Sequence, residues 1–206
     1  MPAKMLPVDG QEVLMEPESL AVSGQPARPT EFNGWKRGYL QVYTGNGKGK
    51  TTAALGLTLR AIGNGARVFI GQFLKNGDYG EIKALLKFTN NVRVRQFGTG
   101  SFVNGHLSQE DFDSCRQGIQ TITNVLTSGV YHLVVLDEII VALNCGLLSV
   151  KELIQIAGMK PDNIELVFTG RHAPPEIMEI ADLITEMKEV KHYYNEGVPA
   201  RMAIEK

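Results

Sequence analysis

The run Thr44-Gly45-Asn46-Gly47-Lys48-Gly49-Lys50-Thr51-Thr52 has the residue types and spacing that hold a polyphosphate. Glycines let a backbone curl until several N–H groups point into one concavity. The positive end of a following helix adds to that field. Lys50 supplies a mobile charge for the terminal phosphates, and the Thr51 hydroxyl is placed to ligate a Mg²⁺ that also bridges them. The general phosphate-loop pattern opens on glycine, whereas Thr44 stands here, with Gly45 and Gly47 close behind to provide the turn.

Such a loop needs an acidic partner at the end of a buried strand. Leu133-Val134-Val135-Leu136-Asp137-Glu138 has that form, an apolar run ending in two carboxylates. Asp137 is the candidate Mg²⁺ ligand, direct or through water, and Glu138 is a second candidate. In a hydrolase Glu138 would activate water. Strand ends on the same rim bring further candidates: Gln72 and Lys75, Phe102 within a long glycine-containing loop, and Arg171, which suits a phosphate or carboxylate. His106 and His132 have no partner at metal-ligand spacing, so no zinc site is expected.

The elements that must position these residues follow from periodicity and punctuation. Residues 39–44 read as a strand, 50–62 as a helix closed by Gly63-Asn64-Gly65, and 67–74 as a strand. A helix over 79–88 and a strand over 92–97 follow. Ser108 opens a long helix with Glu110 and Asp111 in its first turn. Residues 133–136 and 165–169 are continuous apolar strands, fitting a sheet buried on both faces. Ser149 and Glu152 form a capping box for a helix reaching Gly158, and Pro174 and Pro175 start another. Residues 183–192 and 200–205 read as short edge strands. The alternation implies an α/β fold, a three-layer, mostly parallel sheet with helices on both faces.

The chain has 206 residues, 43% of them hydrophobic, enough for one such domain. The formal charge of -1 offers no wholesale attraction for nucleic acid or anionic membrane. The most apolar stretch, 132–148, is broken by Asp137, Glu138 and Asn144 and cannot span a bilayer. Cys115 and Cys145 are expected as free thiols of a cytoplasmic protein. Residues 1–37 carry five prolines and no sustained apolar period, so the expectation is a mobile arm ahead of a domain over 38–206.

Residue chemistry reaches a Mg-ATP or Mg-GTP site and leaves open which bond of the nucleotide breaks. Several segments taken together resemble a known family. They are Tyr43 through Ala54, Gln72-Phe73-Leu74-Lys75, Val135-Leu136-Asp137-Glu138 and Thr169-Gly170-Arg171 with Pro174 or Pro175. Ala181-Asp182, Thr185-Glu186-Met187 and Lys191-His192 complete the set. In order over 38–205 they resemble the P-loop-type ATP:corrinoid adenosyltransferases, whose loop also opens on Thr. The resemblance implies a P-loop NTPase-like (RecA-like) fold. It implies a reaction in which Co(I) of a reduced corrinoid attacks the 5′ carbon of ATP and expels triphosphate. Lys50, Thr51 and the backbone of 45–52 would stabilise the leaving group. It further implies a homodimer, a flavoprotein reductant and an N-terminal segment that helps close the corrinoid site. Two positions depart from the family: Phe102 is the single aromatic in 99–104, and Ala203 stands where glycine is usual. Other readings on the same loop are a phosphoryl-transfer ATPase or kinase and a non-catalytic nucleotide or corrinoid carrier.

Overall fold

The computed structural model describes residues 32–88, 90–100 and 107–205. Its frame is a six-stranded sheet in the order β3-β2-β4-β5-β1-β6, with every pairing parallel. The strands are β1 (Leu40–Thr44), β2 (Val68–Phe73), β3 (Val92–Phe97), β4 (Leu133–Asp137), β5 (Glu165–Thr169) and β6 (Leu183–Glu186). The helices are α1 (Lys50–Gly63), α2 (Gly80–Leu85), α3 (Gln109–Thr127), α4 (Ile139–Asn144), α5 (Val150–Gly158) and α6 (Pro175–Glu179). The sheet expected as mostly parallel is wholly parallel among the described residues.

Side chains on a strand point alternately to its two faces, so a sheet covered on both sides needs apolar residues at every position. β4 is the clearest case. Val134 and Leu136 join Phe69, Phe73, Ile122, Leu126 and Phe168 in one core, under α3, α4 and α5. Leu133 and Val135 join Ala54, Ala61, Ile62 and Ile70 in the other, under α1. Both α3 and α5 begin with reciprocal capping boxes, Ser108 with Asp111 and Ser149 with Glu152.

Differences from the sequence expectation fall at short elements. The helix expected over 79–88 is α2 followed by a 3-10 turn at Leu86–Phe88. The apolar run after β4 folds into α4 because Glu138 adopts a left-handed φ of 60° and turns the chain abruptly out of the sheet. β6 ends at Glu186, and a 3-10 turn occupies Tyr193–Glu196. Residues 200–205, expected as a strand, form a turn instead: Arg201 and Glu205 bond locally, and among the described residues no strand edge pairs with them. Among the described residues no helix is long and apolar enough to cross a membrane. Cys115 is buried and Cys145 half-buried, both free.

Residues 1–31 of the expected arm lie outside the described residues. Its last part is docked: Phe32 packs edge-on to His132 at 4.9 Å and to Trp35 at 4.8 Å. His132 Nδ1 accepts a bond from the Arg67 N–H at 3.0 Å. An imidazole accepting there is neutral, and burial followed by the Arg67 charge holds its pKa below the ordinary value. The unfolded chain therefore binds the proton more readily than the folded one. The contribution is fully present above the unfolded pKa of about 6.5 and is lost as pH falls from there through the folded pKa. Thermal melts at pH 7.5 and pH 5 should show a drop in melting temperature that is smaller in His132→Gln than in the wild-type chain.

Candidate functional site

The site lies at the carboxyl edge of the sheet, where four neighbouring strands deliver their last residues. The chain leaves β1 at Thr44, loops through Gly45 to Gly49 and enters α1 at Lys50. Segment 187–188 holds that loop closed. Met187 N–H donates to the Thr44 carbonyl at 2.8 Å, and Gly47 N–H donates to the Met187 carbonyl at 2.6 Å. Gly45 has a φ of 93°, and a Cβ there would collide with the Met187 backbone, so both conformation and space require glycine. Thr44 also has a structural reason. Its buried Oγ1 accepts a bond from Ala173 N–H at 3.1 Å, tying the loop that carries Arg171 to the root of the phosphate loop.

Lys50 is 7% exposed and folds back on the loop, donating to the Gly45 carbonyl at 2.6 Å and the Gly47 carbonyl at 2.8 Å. Burial, reinforced by the Arg171 charge, lowers its pKa. The Thr51 hydroxyl donates to Asp137 Oδ1 at 2.9 Å, joining the first turn of α1 to the end of β4.

Asp137 is 1% exposed and fully bonded. Thr169 Oγ1, from β5, also donates to Oδ1 at 2.7 Å. Gln72, from β2, donates to Oδ2 at 3.1 Å, and Lys75 Nζ donates to the same oxygen at 2.7 Å. Burial by itself would raise this carboxyl. The Lys75 charge and the bonds from Lys75, Thr169 and Thr51 outweigh it and hold the pKa below the ordinary range. Glu138 sits next to it with its pKa raised, first by burial and then by the Asp137 charge. The donors on Asp137 and Thr51 are hard oxygens in direct contact, the chemistry that suits Mg²⁺ once phosphate and water oxygens complete its shell.

A cavity of about 960 Å³ opens in front of these groups. Its lining includes the phosphate loop from Gly47 to Thr52 with Lys75, Glu138 and Arg171. The lining also has an apolar part, with Leu55 and Leu59 from α1 and Tyr79, Leu85 and Phe88 from the α2 region. The structure thus brings Gly47, Lys48, Gly49, Lys50, Thr51, Thr52, Glu138, Lys75 and Arg171 together around one space, with Asp137 at its base. Asn46 is exposed outside that lining. Gln72 does not face the rim as expected. It is fully buried, because β2 is an interior strand and Gln72 pairs in register with Asp137, so it braces the carboxylate from behind. Phe102 lies outside the described residues.

Three features escaped sequence reasoning. Thr169 lies on the rim by its strand, yet its bond to Asp137 exists only because β5 lies next to β4. Segment 187–188 clamps the phosphate loop with backbone groups, which leave no residue signature. Lys48, expected to bind nucleotide, instead donates to Glu205 at 2.8 Å, to the Ile204 carbonyl at 3.3 Å and to Tyr193 at 3.2 Å. Glu205 also takes bonds from Tyr193 and Arg201. This cluster brings His192, Ala203, Ile204 and Glu205 to the cavity wall.

The comparisons with known proteins agree with this arrangement. Residues 36–205 match a family described as ATP:corrinoid adenosyltransferase BtuR/CobO/CobP. A corrinoid adenosyltransferase of Escherichia coli (strain K12) is 33% identical over 170 residues, spanning 82% of this chain and 86% of that protein. One from Pseudomonas aeruginosa is 34% identical over 171 residues, 82% of this chain and 84% of that protein. The chain belongs to the ATP:corrinoid adenosyltransferase family. It is a transferase, and most of the segments that carry the resemblance in this adenosyltransferase reach the carboxyl edge of the sheet, while Ala181-Asp182 lies at the opposite edge, bonded to Leu40 at the start of β1.

Two predictions follow from the geometry. Asp137→Asn removes the anion that Lys75 neutralises and should cost about 2–3 kcal/mol in urea denaturation. That is less than the ~3–5 typical of a fully enclosed pair, since Lys75 still reaches water. Ala203 has a φ of 65°, a conformation that costs an L-residue about 1–2 kcal/mol. Part of this is offset by glycine's larger unfolded-state entropy. Ala203→Gly should therefore slow tryptic cleavage after Arg201 about two- to fivefold by favouring the closed turn.

Proposed function

We propose that this chain transfers the 5′-deoxyadenosyl group of ATP to the Co(I) centre of a reduced corrinoid and releases triphosphate, in adenosylcobalamin biosynthesis or salvage. The observation that carries the reading is one cavity lined both by a phosphate loop with its lysine and threonine and by apolar side chains, within a chain that matches the adenosyltransferase family over 36–205. Triphosphate fits the polar part of the lining and the organic part of a substrate fits the apolar part.

The chain's share of the chemistry is placement and charge. The reduced corrinoid brings its own nucleophile, so the protein needs no activated side chain for attack. Backbone N–H groups of Lys48 through Thr52 cradle the triphosphate, the Gly47 N–H being taken by the Met187 carbonyl, and Lys50 exchanges its two loop carbonyls for phosphate oxygens as negative charge develops. Burial leaves the Lys50 ammonium poorly solvated, which lowers its pKa and makes it a stronger partner for that charge. Thr51 and Asp137 would hold Mg²⁺, with Glu138 beside them. Bound there, the ion neutralises the leaving group. The apolar part of the lining holds the adenosyl carbon in line and excludes water. Arg171 at the rim offers a further cation to phosphate or to an acidic side chain of the corrinoid. A Co(I) substrate requires a reducing compartment and an electron donor, consistent with a cytoplasmic homodimer served by a flavoprotein.

A second reading rests on Glu138. Its raised pKa and its place beside Asp137 suit a base that activates water for phosphoryl transfer. Product identity separates the two. Under anaerobic conditions, purified protein with Mg-ATP and chemically reduced cob(I)alamin or cobinamide should give a light-sensitive alkyl-cobalt product and intact triphosphate. Lys50→Ala should lower kcat/KM about 10²-fold or more with the circular dichroism spectrum unchanged. Release of ADP and phosphate with no alkyl-cobalt product on any corrinoid would overturn the adenosyl-transfer reading.

A further inference from the structure

Every acceptor position on Asp137 is taken. Oδ1 receives the Thr51 and Thr169 hydroxyls, and Oδ2 receives the Gln72 amide and the Lys75 ammonium. A carboxylate offers about four such positions, so a cation that approaches Asp137 must displace a donor. Three of the four sit on regular elements: Thr51 in α1, Thr169 in β5 and Gln72 in β2. Only Lys75 carries charge, has a long flexible stem and lines the cavity.

Lys75 is also placed there by construction. Leu74 has a φ of 57°, which turns the chain sharply at the end of β2 and sends Lys75 back over the strand ends. Leu74 N–H is bonded to the Phe97 carbonyl at 2.9 Å. Gly98 passes so close that a Cβ on it would stand 2.7 Å from the Lys75 nitrogen. Gln96 grips Gly77 through both its backbone N–H and its carbonyl, each at 3.0 Å, while its amide also donates to Gln72 at 3.1 Å. One polar ladder thus holds the Asp137 carboxylate and the loop that carries Lys75. The same ammonium also lies 5.6 Å from the Tyr79 ring centroid.

Charge decides when Lys75 leaves. Lys48, Lys50, Lys75 and Arg171 line the cavity together with Glu81, Glu138 and Glu205; Lys48 is already paired with Glu205, and Lys75 with Asp137 behind the lining. A bare divalent ion would enter a site whose carboxylate is already neutralised, and like charges would oppose it. A triphosphate brings enough negative charge to receive the displaced ammonium.

We propose that Lys75 is a resident cation in the divalent-metal site, holding Asp137 in the metal-free enzyme and yielding to Mg²⁺ only when the metal arrives together with triphosphate. Lys75 is then a positioning residue that makes the enzyme select metal–nucleotide over free metal. The inference rests on the reading of Thr51 and Asp137 as the metal site.

The test uses Mn²⁺ as a paramagnetic probe, titrated into the full chain with and without ATP. Wild type should bind Mn²⁺ weakly alone and firmly with ATP. Lys75→Met should bind Mn²⁺ alone at least tenfold more tightly than wild type. Lys75→Gln, which keeps a donor to Asp137 and loses the charge, should do the same, while Lys75→Arg should stay with wild type. Thermal melts of each variant establish that it is folded. If folded Lys75→Met and Lys75→Gln bind free Mn²⁺ no more tightly than wild type, yet all bind Mn-ATP, the resident-cation role is overturned while the metal site stands. If ATP recruits no Mn²⁺ to any of them, or does so equally in Asp137→Asn, the metal assignment falls and the inference with it.

Discussion

A single buried carboxylate organises this enzyme. Asp137 is 1% exposed, and a charge that deep is tolerated only when its bonds are complete and a counter-charge is at hand. Its partners come from α1, β2, the loop after β2, and β5, elements far apart in the chain. Each lies where the strand order puts it: β4 stands between β2 and β5, and β5 lies between β4 and β1. Moving β4 by a residue against its neighbours would unpair Asp137 and break its bond to Thr51 at the phosphate loop. The carboxylate thus makes the register of the sheet and the geometry of the site a single constraint.

The phosphate loop is a second assembly with its own supports. Backbone bonds from Met187 to Thr44 and from Gly47 to Met187 hold its shape, the Thr44 hydroxyl carries the Arg171 loop, and Lys48 reaches to Glu205. Lys50 satisfies its ammonium on the loop's own carbonyls. Two ammonium groups of the site therefore rest on protein oxygens, Lys50 on carbonyls and Lys75 on Asp137. Leu55, Leu59, Leu85 and Phe88 add apolar surface to the same charged cavity, which suits a reaction in which a charged leaving group departs from the adenosyl carbon as that carbon passes to a bulky organic acceptor.

Much of this was legible in the chain. The phosphate loop, the strand ending in Asp137 and the capped helices at Ser108 and Ser149 depend on local rules, namely glycine freedom, apolar runs and side-chain capping, so their positions match the structure closely. Gln72 was misjudged because its location at a strand end suggested exposure, whereas the interior place of β2 buries it. Residues 200–205 were misjudged because a short alternating pattern fits an edge strand equally well as a turn closed by Arg201 and Glu205.

By itself the sequence determined the fold class, the strand, glycine-rich loop and helix that carry Lys50 and Thr51, the buried strand ending in Asp137 and, through motifs in order along the chain, the family. These are properties of contiguous segments, where spacing and residue type carry the physics. The tertiary structure alone decided what Asp137 is bonded to, that Lys75 occupies it, that Met187 clamps the loop and that Lys48 turns to the C-terminal segment. Those contacts join residues tens to more than a hundred positions apart, several through backbone groups common to every residue. They come into being only when parallel strands fix their order and bring their carboxyl ends to one edge.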